Sequence, residues 1–290
     1  MTDEAAPSTD PQPGSLAEGD TAGRGSGAAL KGLAALVAVV VVTLGMGAVL
    51  GFGPFAGPVA PEKVTDPREM IARGLQAVLD SSSVHVEGAV SGTIPGDLLA
   101  RQESGVTLDG MTVAADARPK DATTQTHVEI PGLDVAVDTI SVWDALWYRT
   151  APGDPWLRAS VGGVAADAGV DVNPLTLVDR LRSYLARPDI EPSVTDVPCP
   201  GAESTTCRRI ELDAGSDPVA LLAVMLPDET EAALPVVSSK VVVESEVATL
   251  RPVRVTVDVA SDDGSIDVRL VLLPSRWDDP SIRIEAPPAG

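Results

Sequence analysis

From Val253 to Val259 every second residue is valine, and Arg254, Thr256 and Asp258 stand between them. Side chains that repeat every second residue suit a strand with one dry face and one wet face. A helix would need apolar residues three and four apart. The turn Ser261-Asp262-Asp263-Gly264 follows, and Asp-Gly is a strong hairpin signal. Ile266, Val268, Leu270 and Leu272 then return in alternation with Asp267, Arg269 and Val271. No feature constrains the fold more than this hairpin, because its apolar half has to be covered.

The same alternation recurs upstream. Val84, Val86, Gly88 and Val90 alternate with His85, Glu87, Ala89 and Ser91. Further strands are predicted near 111–115, 124–130, 133–142 and 145–150. Gly153-Asp154-Pro155 then marks a turn before Trp156 and Leu157. Segments 194–197 and 208–212 form a strand pair, Val236–Glu246 another strand, and a final strand carries Ile282 and Ile284. Helices are fewer. Asp66-Pro67-Arg68-Glu69 is a helix start, with Asp66 as cap, Pro67 at the first turn and Glu69 placed for a capping box. Met70, Ile71, Leu75, Val78 and Leu79 then make an apolar stripe ending near Ser81–Ser83. Asn173-Pro174 opens a second helix over 175–186, and Asp217-Pro218 a third over 219–226.

Gly32 to Pro61 holds no charged side chain. Its apolar part, Gly32 to Gly53, matches the roughly 20 residues that cross a bilayer. A signal peptide, whose apolar region runs about 7–15 residues, is the alternative, with cleavage near Ala60. The length favours an uncleaved anchor. Arg24 and Lys31 precede the run, and flanking positive charge stays cytoplasmic. The expected organisation is a disordered cytoplasmic tail over 1–31, a transmembrane helix over 32–54, a linker over 55–65 and an extracytoplasmic domain over 66–290. Localisation follows: a single-pass cell-membrane protein with its C-terminal domain outside. Gly47 and Gly51 are spaced as in helix-packing motifs of membrane segments.

The net charge is −21, of which −18 lies after residue 60, since residues 1–60 hold five acids and two bases. Such a surface repels nucleic acid, so no nucleic-acid partner is expected. Cys199 and Cys207 flank a short polar loop. Outside the cytoplasm an even cysteine count suggests a disulfide, and two free thiols are the alternative. With His85 and His127 far apart, a zinc site of about four ligands has no good donor set. No catalytic motif is present: no nucleophile elbow, no His-Glu-x-x-His, no phosphate loop. Neither an enzyme nor a cofactor is expected.

Only eight of 290 residues are aromatic, so any core is built from Val, Leu, Ile and Ala. A long antiparallel sheet tends to curl. The fold class expected is α+β, a curved antiparallel half-barrel around short helices. If three short helices cover the concave face incompletely, a dry cavity suited to an acyl chain remains. If they fill it, the space is ordinary core. The candidate lining is Val86, Val90, Val135, Val137, Val255, Val257, Val268 and Leu270.

The order of several segments is familiar. After the first helix, SSSVHVEGAVSGT (81–93), DALWYRTAPGDPWLRAS (144–160), NPLTLVDRLRSYL (173–185) and the closing LRPVRVTVDVASDDGSIDVRLVLLPSRWDDPSIRIEAPP (250–288) resemble the mycobacterial LppX/LprG lipoprotein family. The resemblance spans most of 67–288. It implies the fold of the lipoprotein carriers LolA and LolB, and a partner that is a lipid or acylated glycolipid bound in a hydrophobic cavity, with a role in lipid transport. The chain departs from the family in lacking a lipobox cysteine and in carrying Cys199 and Cys207. A second implied reading is an envelope-sensing or scaffold ectodomain, because a similar fold occurs in periplasmic regulators of anti-sigma factors.

Overall fold

The computed structural model describes residues 64–94, 106–161, 183–213 and 236–288. Helix α1, Pro67–Asp80, starts where the Asp66 carboxylate accepts the Arg68 backbone N–H at 3.0 Å, satisfying one donor of the first turn. The expected capping box does not form. Glu69 instead takes the Arg73 guanidinium one helical turn on, at 2.7 Å, the usual partner for an exposed acid at that spacing.

Twelve strands follow: β1 Val84–Ile94, β2 Val106–Thr107, β3 Met111–Arg118, β4 Thr123–Ile130, β5 Val135–Val142, β6 Ala145–Arg149, β7 Leu157–Ser160, β8 Ser193–Cys199, β9 Ala202–Asp213, β10 Val236–Glu246, β11 Pro252–Ser261 and β12 Asp267–Ser275. They make one sheet in the order β7-β6-β5-β4-β3-β1-β12-β11-β10-β9-β8, with the short β2 beside β1. Every pairing is antiparallel. The sheet is not closed: among the described residues β7 and β8 are its two edges. The middle strand, β1, has β3 on one side and β12 on the other. On either side of it the strands pair in chain order, β3 to β7 and β8 to β12.

Two connections use one device. Pro119–Asp121 and Pro131–Leu133 are single 3-10 turns, and each hands over to a left-handed residue, Ala122 (φ 51°) or Asp134 (φ 50°). The second turn explains why β5 starts at Val135 and not at 133: Pro131 has no N–H for the ladder, and Asp134 donates back to the Pro131 carbonyl at 3.1 Å.

The final strand expected at Ile282 and Ile284 is absent. Residues 276–288 run without ladder pairing, with positive φ at Arg276 and Asp278 and prolines at 280 and 287. The segment is pinned to the sheet instead. Arg118 donates to the Ile282 carbonyl at 2.9 Å, Ser83 to the Asp279 carbonyl at 2.9 Å, and Ser82 N–H to the Asp278 carboxylate at 2.7 Å. Ile282 is buried as firmly as a strand residue would be.

Of the other predicted helices, only the end of the second is described, at residues 183–185. The third, the tail and the uncharged run at 32–54 lie outside the described residues. No described helix is long and apolar enough to cross a membrane. Cys199 and Cys207 are disulfide-bonded, with Cα atoms 4.9 Å apart across the β8–β9 hairpin.

Candidate functional site: the apolar inner face

Strand register determines which side chains share a face. Val90 pairs with Met111 on β3 and Leu270 on β12, and Gly88 with Val113 and Leu272. Val113 leads to Val128 and then Val137, while Leu270 leads to Val257 and then Val241 and Leu212. One face of the sheet is therefore apolar in an unbroken row from β5 to β9. All eight predicted lining residues, Val86, Val90, Val135, Val137, Val255, Val257, Val268 and Leu270, lie on it.

They differ in how deeply they are covered. Val86, Val90 and Val137 are buried, in a cluster with Met111, Val113, Val128 and Leu272. Val135, Val255, Val268 and Leu270 are half-buried at its margin. A second cluster sits at the other end of the face, where α1 brings Met70 and Ile71 against Tyr184, Leu185, Ile190, Ile210 and Leu212. Arg68 secures this end by donating to the Leu185 and Ile190 carbonyls at 2.6 and 2.7 Å. Between the clusters, on β10 and β11, Val243, Val257 and Val259 are half-buried.

One part of the face is polar, which the valine pattern did not reveal. Thr124 and Thr126 on β4 pair with Ser141 and Thr139 on β5, and Thr139 pairs with Tyr148 on β6. Thr124 and Ser141 hydroxyls are 2.6 Å apart. The Thr139 hydroxyl is buried with no hydrogen-bond partner among the described residues. The signal was present: Thr124 and Thr126 continue the inward alternation of Val128 and Ile130.

The opposite face carries the charges. His127 Nδ1 lies 2.6 Å from Asp138, whose other oxygen takes the Arg149 guanidinium at 2.6 Å, and His127 Nε2 lies 3.1 Å from Glu129. The hydrogen bond to Asp138, then that to Glu129, raises the His127 pKa above its ordinary value. Burial works to raise the Asp138 carboxyl, but the hydrogen bonds from His127 and Arg149 outweigh it and leave it below the usual range. His85 pairs likewise with Asp116 at 2.8 Å. Both histidines are thus strand-to-strand links on the polar face. Among the described residues no cluster of His, Cys, Asp and Glu is arranged to hold a metal. Glu244, almost fully buried, is held between Arg209 at 2.6 Å and Arg254 at 3.6 Å, as a buried carboxylate requires.

No family model matches the chain, and no curated protein does. Solved structures do. The Mycobacterium tuberculosis lipoprotein LppX is similar over 76% of this chain and 98% of its own, at 15% identity and a TM-score of 0.48. LprF from Mycobacterium bovis is similar over 81% of this chain and 100% of its own, at 15% identity and a TM-score of 0.46. A LolA superfamily protein from Nitrosomonas europaea is similar over 78% of this chain and 96% of its own, at 10% identity and a TM-score of 0.26. The chain resembles in structure the same LppX/LprG group that its sequence motifs resemble.

Proposed function

We propose that this protein holds the acyl chains of a lipid or acylated glycolipid against the inner face of its sheet, on the outer side of the membrane to which residues 32–54 anchor it. In this reading the sheet is a half-barrel and the helices form an incomplete plug. The observation that carries it is the strip of Val243, Val257 and Val259, half-buried between two closed clusters. A sheet face with no ligand to bind would gain by closing there, at roughly 25 cal/mol for each Å² of apolar surface covered. The hydroxyls of Thr124, Thr139 and Ser141 give the same face a polar end, suited to ester or hydroxyl groups of such a ligand. Anchoring is supported by the uncharged run and by Arg24 and Lys31 before it.

Native mass spectrometry of the full-length chain after gentle detergent extraction tests the first part. Adducts of lipid mass that survive purification are expected, and a bare polypeptide mass would overturn the reading. Intact-mass analysis of the membrane fraction tests the second. A full-length chain is expected, whereas a mature N-terminus beyond Gly53 would mean a secreted protein.

A further inference from the structure

Three of the four tryptophans in this aromatic-poor chain fall within 143–156. The fold gathers them on the β5–β6–β7 edge. Trp143 occupies the turn from β5 to β6 and is 74% exposed. Its φ is 56°, a left-handed backbone that a bulky aromatic residue takes up only under strain. Trp147 lies on β6 opposite Arg158, whose guanidinium stands 5.6 Å from its ring, and Trp156 is faced by Arg149 at 4.7 Å. On the other face of the same edge, Leu157 is 50% exposed and pairs with Tyr148.

We infer that this edge rests on the bilayer surface, with Trp143 inserted at the headgroup level. Tryptophan favours that region because its ring is apolar and its N–H is not, and Arg158, stacked on the Trp147 ring, is suited to phosphate. Charge selects the same edge. The edge from β5 to β7 (135–160) holds three Asp and two Arg, a net charge of only −1 in a chain of −21, and Asp138 and Arg149 pair with each other. The rest of the acidic surface is repelled by anionic headgroups, and this edge far less so. The tether permits the contact. Ten residues lie between Gly53 and Val64, and the eleven steps reach at most about 40 Å. The inference rests on the anchored acyl-binding reading and adds to it a place of transfer: among the described residues β7 ends the sheet that carries the apolar face, so a chain leaving the bilayer meets that face first at Leu157 and Tyr148.

The test uses the full-length chain in phosphatidylcholine and phosphatidylglycerol vesicles whose acyl chains carry bromine, which quenches indole on contact. One variant keeps only Trp143 (Trp147→Phe, Trp156→Phe, Trp277→Phe). Another keeps only Trp277, which packs against the first buried cluster. Emission from Trp143 is expected to shift to the blue and to fall about twofold more than that from Trp277. Equal quenching overturns the inference. So does a blue shift that also occurs without vesicles, which means contact between copies. If the triple variant fails to fold, Trp143→Asn alone decides: it is expected to remove most of the quenchable emission, and an unchanged profile overturns the inference. Retention of the chain by the vesicles in an alkaline wash is scored separately, so loss of the anchor and loss of the edge contact give different results.

Discussion

A Cβ on Gly92 would lie 1.7 Å from the carbonyl oxygen of Asp267. Gly92 sits on β1 opposite β12 with φ 115°, a conformation that residues with a Cβ avoid. Here β1 has left β3 and takes β2 as its partner at Thr93 and Ile94. The bend is held by Asp109, which accepts the Gly92 N–H at 2.8 Å, and by Leu108, which donates to the Gly92 carbonyl at 2.8 Å. The clash is with backbone, so no rotamer relieves it. Gly92→Ala is expected to cost at least about 3 kcal/mol, read as a drop in the urea midpoint. An unchanged midpoint would show that β1 is not bent there.

Val257 separates cavity from core. Adding bulk to a filled core costs about 1–3 kcal/mol, whereas an open cavity absorbs it. Val257→Trp is expected to leave the melting transition nearly unchanged and to abolish lipid co-purification. Leu270→Trp, at the margin of the first cluster, is expected to give the same result with a larger thermal cost. Unfolding by both variants, with no lipid in the wild type, would mean that the space is filled.

The Cys199–Cys207 bond closes a small loop, so its loss is expected to lower stability by about 2–3 kcal/mol. The loss is measurable in Cys199→Ser/Cys207→Ser by denaturant titration. Alkylation without reduction is expected to label neither cysteine of the full-length protein. Two labelled thiols would contradict both the bond and an oxidising location.

The His127–Asp138 link makes stability depend weakly on pH. His127 is raised above 6.5 in the folded domain, so its contribution is fully present below 6.5 and is lost as pH rises through the higher folded value. Asp138 is lowered below 3.8, so its contribution is present above 3.8 and is lost as pH falls through the lower value. His127 is partly exposed, and solvent limits its effect to about a few tenths of a kcal/mol. Between pH 6 and 8 the melting temperature is expected to decline slightly in the wild type and to stay flat in His127→Gln.

Trp143 is expected to be a stability liability. Asparagine adopts left-handed backbone far more readily. Trp143→Asn is therefore expected to raise stability by about 0.5–1 kcal/mol in a urea titration. A loss of stability would mean that the indole packs against its own domain.

Much of this was legible in the alternation. The Asp-Gly hairpin was located from it directly, because both of its strands alternate, whereas Val236–Glu246, with Val241, Val242 and Val243 in a row, was placed as an apolar run rather than by period two. Asp66-Pro67 placed α1 for the same local reason. The strand expected at Ile282 and Ile284 failed because alternation records burial, not pairing, and Ile282 is buried without a ladder. Glu69 failed because Arg73 competes for its carboxylate. The eight lining residues were placed on one face by parity alone. Which of them sit in dry core and which at its margin depends on pairings between distant strands, and no local pattern reports those.

The position of β1 has a consequence for how the chain assembles. β3 to β7 pair with their neighbours in the chain, as do β8 to β12, and apart from the β9–β10 pair, whose partners are 27 to 39 residues apart, these contacts are local. The β1–β12 seam joins His85 to Ser275, and its closure carries the longest loop entropy in the sheet. During synthesis β1 gains β3 early, while its other edge stays bare until the last strand has emerged, the state in which edges invite mispairing. A chain stopped short of β12 would therefore not be a sheet trimmed at its margin. It would be two half-sheets with a break down the middle.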